Sequence, residues 1–353
     1  MDRLDYKKYA TSTVLAYPTK YKKHLKALFI EAGLAKDTEQ LQMDTLNGVD
    51  ILGMPLKDQL EKCISESDDT LGIIEKWEFE KDYRHSVLFK VDDFDALTAT
   101  VEKEVERYEK GSLPLYDELC EPRLLISNDA KIDLLKFNLK REAVHPITAE
   151  ELLTRYPVVV AFHKKAKIVA IRFDSLRRLY IERTDAFYAN LVDDTVTYIE
   201  NHFHHRLNPL DLDFLLTYVQ GTTSDVRLIA QSMKMSNGTK AELQVGMNED
   251  YVLPFIGELK DMLIEYQEDF NKVPNLRDAF EQFICEKEET SDYPWIELLW
   301  EDEIKTRSIH VKITFNYHQK GYSLLQHYFN PVLIGMERMN RVVDFISSVE
   351  NNA

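Results

Sequence analysis

Three groups of residues in this chain have types and spacings that chemistry could use. The first is His202, His204 and His205. On a strand, His202 and His204 share a face, and two imidazoles so placed suit zinc or another borderline metal. Further ligands must come from elsewhere, with Glu200 and Asp211 nearest in sequence. The plainer alternative is a polar strand end whose rings meet water or carbonyls. The second group is Glu303-Ile304-Lys305 at a strand end, with Asp292 as the upstream acid. In metal-dependent nucleases one carboxylate of such a set holds Mg²⁺ while the lysine steadies the attacking water or the scissile phosphate. Against this, Glu297, Glu301 and Glu303 alternate along one face, as on the solvated side of an antiparallel edge.

The third group is basic. Lys164, Lys165, Lys167, Arg172, Arg177, Arg178 and Arg183 fall within 20 residues, against only Asp174 and Glu182. Phe173 and Tyr180 interleave with them. Such a patch suits phosphates of DNA or RNA, or an acidic partner. A smaller island lies at the start of the chain, where Lys20, Lys22, Lys23 and Lys26 join Arg3, Lys7 and Lys8 against Asp2 and Asp5. Both islands stand out because the whole chain carries −17. That balance repels polyanions at long range and excludes a protein whose entire surface grips nucleic acid. The competing reading is that these cations pair with some of the chain's own 61 acidic residues.

Common catalytic signatures are absent. The sequence holds no phosphate-cradling G-x-x-x-x-G-K-[ST] or G-x-G-x-x-G, no G-x-S-x-G elbow, no H-E-x-x-H and no EF-hand loop. The three cysteines, Cys63, Cys120 and Cys285, are far apart and odd in number, so a disulfide framework or a cysteine zinc site is not expected. No apolar run approaches a membrane span, and the Met-Asp-Arg-Leu-Asp start has no signal-peptide character. These features fit a soluble protein of the cytoplasm with no cofactor and no membrane partner.

The elements that must position these residues follow from pattern. With 353 residues, 44% of them hydrophobic, a substantial core can form. Residues 156–205 read as an antiparallel meander: Val158 to Phe162, a polar break at Lys164 to Ala166, the alternating run Lys167 to Phe173, then Phe187–Val192 and Val196–Ile199 around a turn at Asp193-Asp194-Thr195. Residues 13–17 read as a short strand, and Gly72–Glu80 pairs with His85–Val91 as a hairpin. Helices are expected from Thr19 to Ala32 with Gly33 as the stop, from Asp92 or Asp93 onward, after the Thr148 and Glu151 capping box, over 252–270 and 276–288, and from Pro331 to Val349. Hairpins are expected around Asn237-Gly238 and His318 to Gly321. The fold class is α+β, with antiparallel β-meanders and helices packed on them, in two subdomains divided near residue 150: an N-terminal α+β domain (1–150) and a meander followed by a C-terminal α+β region (151–353).

The function expected from these observations is a non-catalytic interaction protein, a subunit of a multi-protein assembly with a protein partner or a second copy of itself. A nucleic-acid-engaging component of defence or DNA processing comes next, then a metal-dependent nuclease or other hydrolase with few motifs.

Overall fold

The computed structural model describes residues 3–37, 48–109, 121–126, 131–144, 147, 149–176, 180, 186–221, 226–234, 240–244, 256–289, 292–302, 304, 307–330, 332 and 335–351. The chain divides into two compact units. One comprises residues 1–208 with 334–343, the other 209–333 with 344–353. Residue 150 lies between two strands of the first unit that pair along their whole length.

The first unit starts with helices α1 (Arg3–Ala16) and α2 (Thr19–Glu31), followed by a short parallel contact between β1 (Ala35–Lys36) and β2 (Val49–Asp50). Next come α3 (Leu56–Glu66), α4 (Asp69–Glu80), β3 (His85–Lys90) and α5 (Phe94–Glu104). Strands β4 (Arg123–Leu125), β5 (Ile132–Val144), β6 (Glu151–His163) and β7 (Ile168–Phe173) precede α6 (Phe187–Phe203) and the two-residue β8 (Asn208–Pro209). The sheet order is β3–β7–β6–β5–β4, antiparallel throughout.

The β6–β7 hairpin sits where the sequence places it. His163 pairs with Ile168 across a four-residue turn, Lys164–Lys167, and the run Val158–Phe162 is fully buried. Burial on both faces means that helices cover both sides. Arg155 and Lys136 face α1 and α4, while Phe162 meets Phe94, Tyr156 meets Phe187, and Phe137 meets Tyr198 on the other side. On α1, Thr13 accepts a hydrogen bond from the Arg155 amide at 2.9 Å and donates to its carbonyl at 2.7 Å, which pins the helix to β6.

Several sequence expectations are corrected here. Residues 13–17 belong to the helical α1 and the bend after it, Gly72–Glu80 is part of α4, and Phe187–Ile199 is part of one helix, α6. Glu151 opens β6 rather than a capped helix, and Thr148 lies outside the described residues. Other expectations hold. Gly33 follows α2 with φ +72°, and the Asp93 side chain caps α5 by accepting from the Ala96 amide.

The second unit comprises α7 (Phe214–Gly221), β9 (Val226–Lys234), β10 (Lys240–Gln244), α8 (Ile256–Glu265), α9 (Gln267–Phe270), α10 (Pro274–Glu289), β11 (Asp292–Trp300), β12 (Ile309–Thr314) and β13 (Leu324–His327). Its strands run β10–β9–β11–β12–β13, all antiparallel. The expected Asn237-Gly238 turn lies outside the described residues. β12 alternates buried Ile309, Val311 and Ile313 with half-exposed His310, Lys312 and Thr314, as a sheet covered on one face requires. The last helix, α11 (Glu337–Glu350), is shared between the units. Its Met336 and Met339 flank belongs to the first core, and in the second Phe345 packs edge-on against Trp300 and Tyr218. Among the described residues no helix is long and apolar enough to cross a membrane.

Candidate functional site

The described members of the two basic islands are largely occupied within the protein. Lys164 sits 2.7 Å from Asp133, and Lys167 pairs with Asp95. Lys26 reaches Asp37 at 3.0 Å, and Lys22 donates to the Leu15 carbonyl. Lys20 is half-buried, while Lys23 and Lys165 stay exposed. Arg172 belongs to the interior, not to a surface patch. Its guanidinium is fully buried and contacts His163 Nε2 at 2.8 Å, Asn340 Oδ1 at 2.9 Å and Met336 Sδ at 2.9 Å. Burial, with Arg172 beside it, holds His163 well below the usual imidazole range, so its ring is neutral and Nε2 accepts. Arg177, Arg178 and Arg183 lie outside the described residues.

The histidine pair does not share a strand face. His202 stacks on Tyr198 in the last turn of α6, and His204 is the left-handed cap that ends it. Among the described residues no group of three or more His, Cys, Asp or Glu is placed to hold a metal ion. Asp292 begins β11 opposite Lys234, whereas Glu303 and Lys305 lie outside the described residues. Glu297, expected on a solvated face, is mostly covered. Its carboxylate accepts from Tyr328 at 2.8 Å and contacts His310 Nε2 at 2.8 Å, and the two rings stack 4.0 Å apart. Cys63 is buried in α3, where burial, aided by Glu66, pushes its thiol up to about 11, well away from nucleophilic use.

The sequence reading missed a dense cluster of buried ionisable groups between α1, α4, β5 and β6. Glu75 and Glu78 of α4 meet Lys136 of β5 and Arg155 of β6, and all four side chains are almost wholly buried. Arg155 forks across both carboxylates at 2.7 Å. Lys136 reaches Glu75 at 2.7 Å and Glu78 at 3.2 Å. Tyr17 donates to Glu78, and Tyr6 and Asn138 add contacts to Glu75. Burial alone would raise the Glu75 carboxyl, but Lys136 and Arg155 overcome it and hold it at about 2. Two acids and two bases make a neutral set with its oxygens occupied and no opening to solvent. Its chemistry is therefore that of an ionic joint between the helical layer and the sheet.

The exposed feature of the second unit is different in kind. α8 to α10 form a helical hairpin in which Ile284 alone is buried among the described side chains. Leu259, Met262, Leu263, Tyr266 and Phe270 recur at helical spacing along α8 and α9. Leu276, Phe280, Phe283 and Ile284 do so along α10. Such stripes are normally covered, yet Met262, Tyr266, Leu276 and Phe283 are exposed, as is Ile264 at 72%. Phe270 and Phe280 meet edge to face at 5.7 Å and close the hairpin. Between α8 and α10 lies a groove of about 450 Å³ lined by Leu263, Ile264, Gln267, Arg277, Glu281, Ile284 and Cys285. The helical stripes were legible in sequence; that they face outward was not. Compared with models of known protein families, with curated proteins and with solved structures, this chain matches none.

Proposed function

We propose that this protein is a non-catalytic interaction subunit that docks a protein partner through the α8–α10 hairpin. The observation that carries this reading is the pair of apolar helical stripes on the hairpin, of which Met262, Tyr266, Leu276 and Phe283 remain exposed. Contiguous apolar surface rimmed by polar groups is the usual mark of a protein contact. Of the cations the nucleic-acid alternative would use, Arg172 is buried and Lys164, Lys167 and Lys26 lie beside carboxylates.

The test uses the full chain, tagged and recovered from its own cells. Wild type should bring down a partner in stoichiometric amount. Ile264→Glu with Leu276→Glu should lose that partner while keeping the wild-type melting temperature, since both positions are exposed. Capture of no partner by the wild type, or undiminished capture by the variant, overturns the proposal.

A further inference from the structure

We infer that the groove between α8 and α10 receives a cationic amphipathic helix from a partner protein. This deepens the interaction reading and rests on it. The first argument is shape. The groove is open, with a volume of about 450 Å³. Leu263, Ile264 and Ile284 supply its apolar lining, with Gln267, Arg277 and Glu281 beside them. The groove's lining runs from Arg277 to Cys285 along α10, a wall about 12 Å long at 1.5 Å rise per residue. A groove between two helices is filled by a third that lays down apolar anchors at i, i+3 or i+4, and i+7.

The second argument is charge. Residues 256–289 hold ten acidic and four basic residues, a net of −6. The two basic residues whose side chains are described are already engaged. Arg277 bonds Glu281 at 2.7 Å and Asn271 at 2.8 Å, and Lys272 bonds Asp269 at 2.6 Å. Glu265, Glu268 and Asp278 remain exposed beside the apolar stripes. An occupant must therefore present apolar side chains flanked by Lys or Arg. A second copy of this chain would set −6 against −6 within a protein of −17, so self-docking here is opposed by its own field. An anionic membrane surface is opposed for the same reason.

The experiment titrates the full chain with a fluorescent 16-residue Leu/Lys peptide whose leucines follow helical spacing. A scrambled peptide of identical composition and a Leu/Glu counterpart serve as controls. The helical Leu/Lys peptide should bind at least tenfold more tightly than the scramble, and more weakly as salt rises. Glu265→Lys with Glu268→Lys should weaken it at least tenfold. Glu104→Lys with Glu109→Lys, at exposed acids of the first unit, should leave it unchanged. Equal binding of the scramble, equal loss in both variants, or equal binding of the Leu/Glu peptide overturns the inference. So does hairpin-dependent dimerisation in sedimentation, which would make the occupant a second copy. If the tagged chain captures a stoichiometric partner while the Leu/Lys peptide fails to bind, the inference falls and the interaction reading stands. If both fail, both fall.

Discussion

At the scale of single residues, Arg155 holds the most consequential position. Its guanidinium bonds Glu75, Glu78 and Tyr6 together. Replacing it with methionine keeps much of the volume but leaves two buried carboxylates facing one lysine. Breaking one side of a buried ion pair costs about 3–5 kcal/mol, so Arg155→Met should lower the denaturation midpoint by an amount of that size. Glu75→Gln with Lys136→Met removes one charge of each sign and should cost less. If the double variant proves the more damaging of the two, charge balance is not what the cluster supplies. Titratable groups also set the acid limb of stability. Burial, with Arg84 beside it, lowers the His85 ring from 6.5 to about 3. The folded state thus keeps His85 neutral while the unfolded chain takes up a proton below pH 6.5. Its contribution is present above 6.5 and lost as pH falls toward 3. His163 acts in the same sense, and Glu75 continues the loss from about 4.5 toward 2. Denaturation midpoints should therefore decline from near pH 6.5 downward, and His85→Phe should make the decline shallower between pH 6.5 and 4. An unchanged slope would mean that the ring is protonated in the folded protein.

At the scale of elements, the sequence was legible where local and tertiary signals agreed. The β6–β7 hairpin has an apolar run, a polar break and an alternating run, and both strands form there, although β7 is buried on both faces where alternation implies one solvated face. α6 misled because Phe187–Val192 and Val196–Ile199 are rich in residues that favour strands, with two aspartates between them. Its buried set is Phe187, Ala189, Leu191, Val192, Thr195, Ile199 and Phe203, in which all but Ala189 follow a 3.6-residue period visible only over the full 17 residues. The Asp193-Asp194 pair read as a turn is simply part of that helix. α1 misled in the same way, since its first residues were left unassigned. The ionic joint was illegible for another reason: its members lie up to 80 residues apart in sequence and meet only through the fold. Helix termini offer a direct check on these elements. His204 ends α6 at φ +58°, where a side chain is strained, and Gly is the relaxed residue at such a cap. His204→Gly should raise stability by about 0.5–1 kcal/mol after the entropy of a glycine is counted. Gly335 is the opposite case, with φ +95° and a built Cβ only 3.3 Å from the Glu80 carbonyl oxygen. Gly335→Ala should lower stability by on the order of 1–3 kcal/mol. Chemical denaturation of the two variants checks both signs.

At the scale of the whole molecule, stability is unevenly spread. In the first unit the central strands are buried on both faces, and α1 and α4 are tied to them by hydrogen bonds and ion pairs. In the second unit, β11 buries Ile296, Leu298, Leu299 and Trp300, while the α8–α10 hairpin buries one described side chain. Helices gain most of their stability from covering an apolar face, and isolated helices shorter than about 12–15 residues are marginal in water. α8, with 10 residues, falls below that length, and α10, with 16, only just passes it. Amide hydrogen exchange should therefore be fast across 256–289, through local opening, and slow along β6, β7 and β11, where exchange requires global unfolding. Adding the helical Leu/Lys peptide should slow exchange in α8 and α10 selectively, because a covering helix supplies the missing apolar contact. If the hairpin without peptide is already as protected as β6, its exposed stripes are stable without a partner. The reason for expecting one to cover them would then be gone.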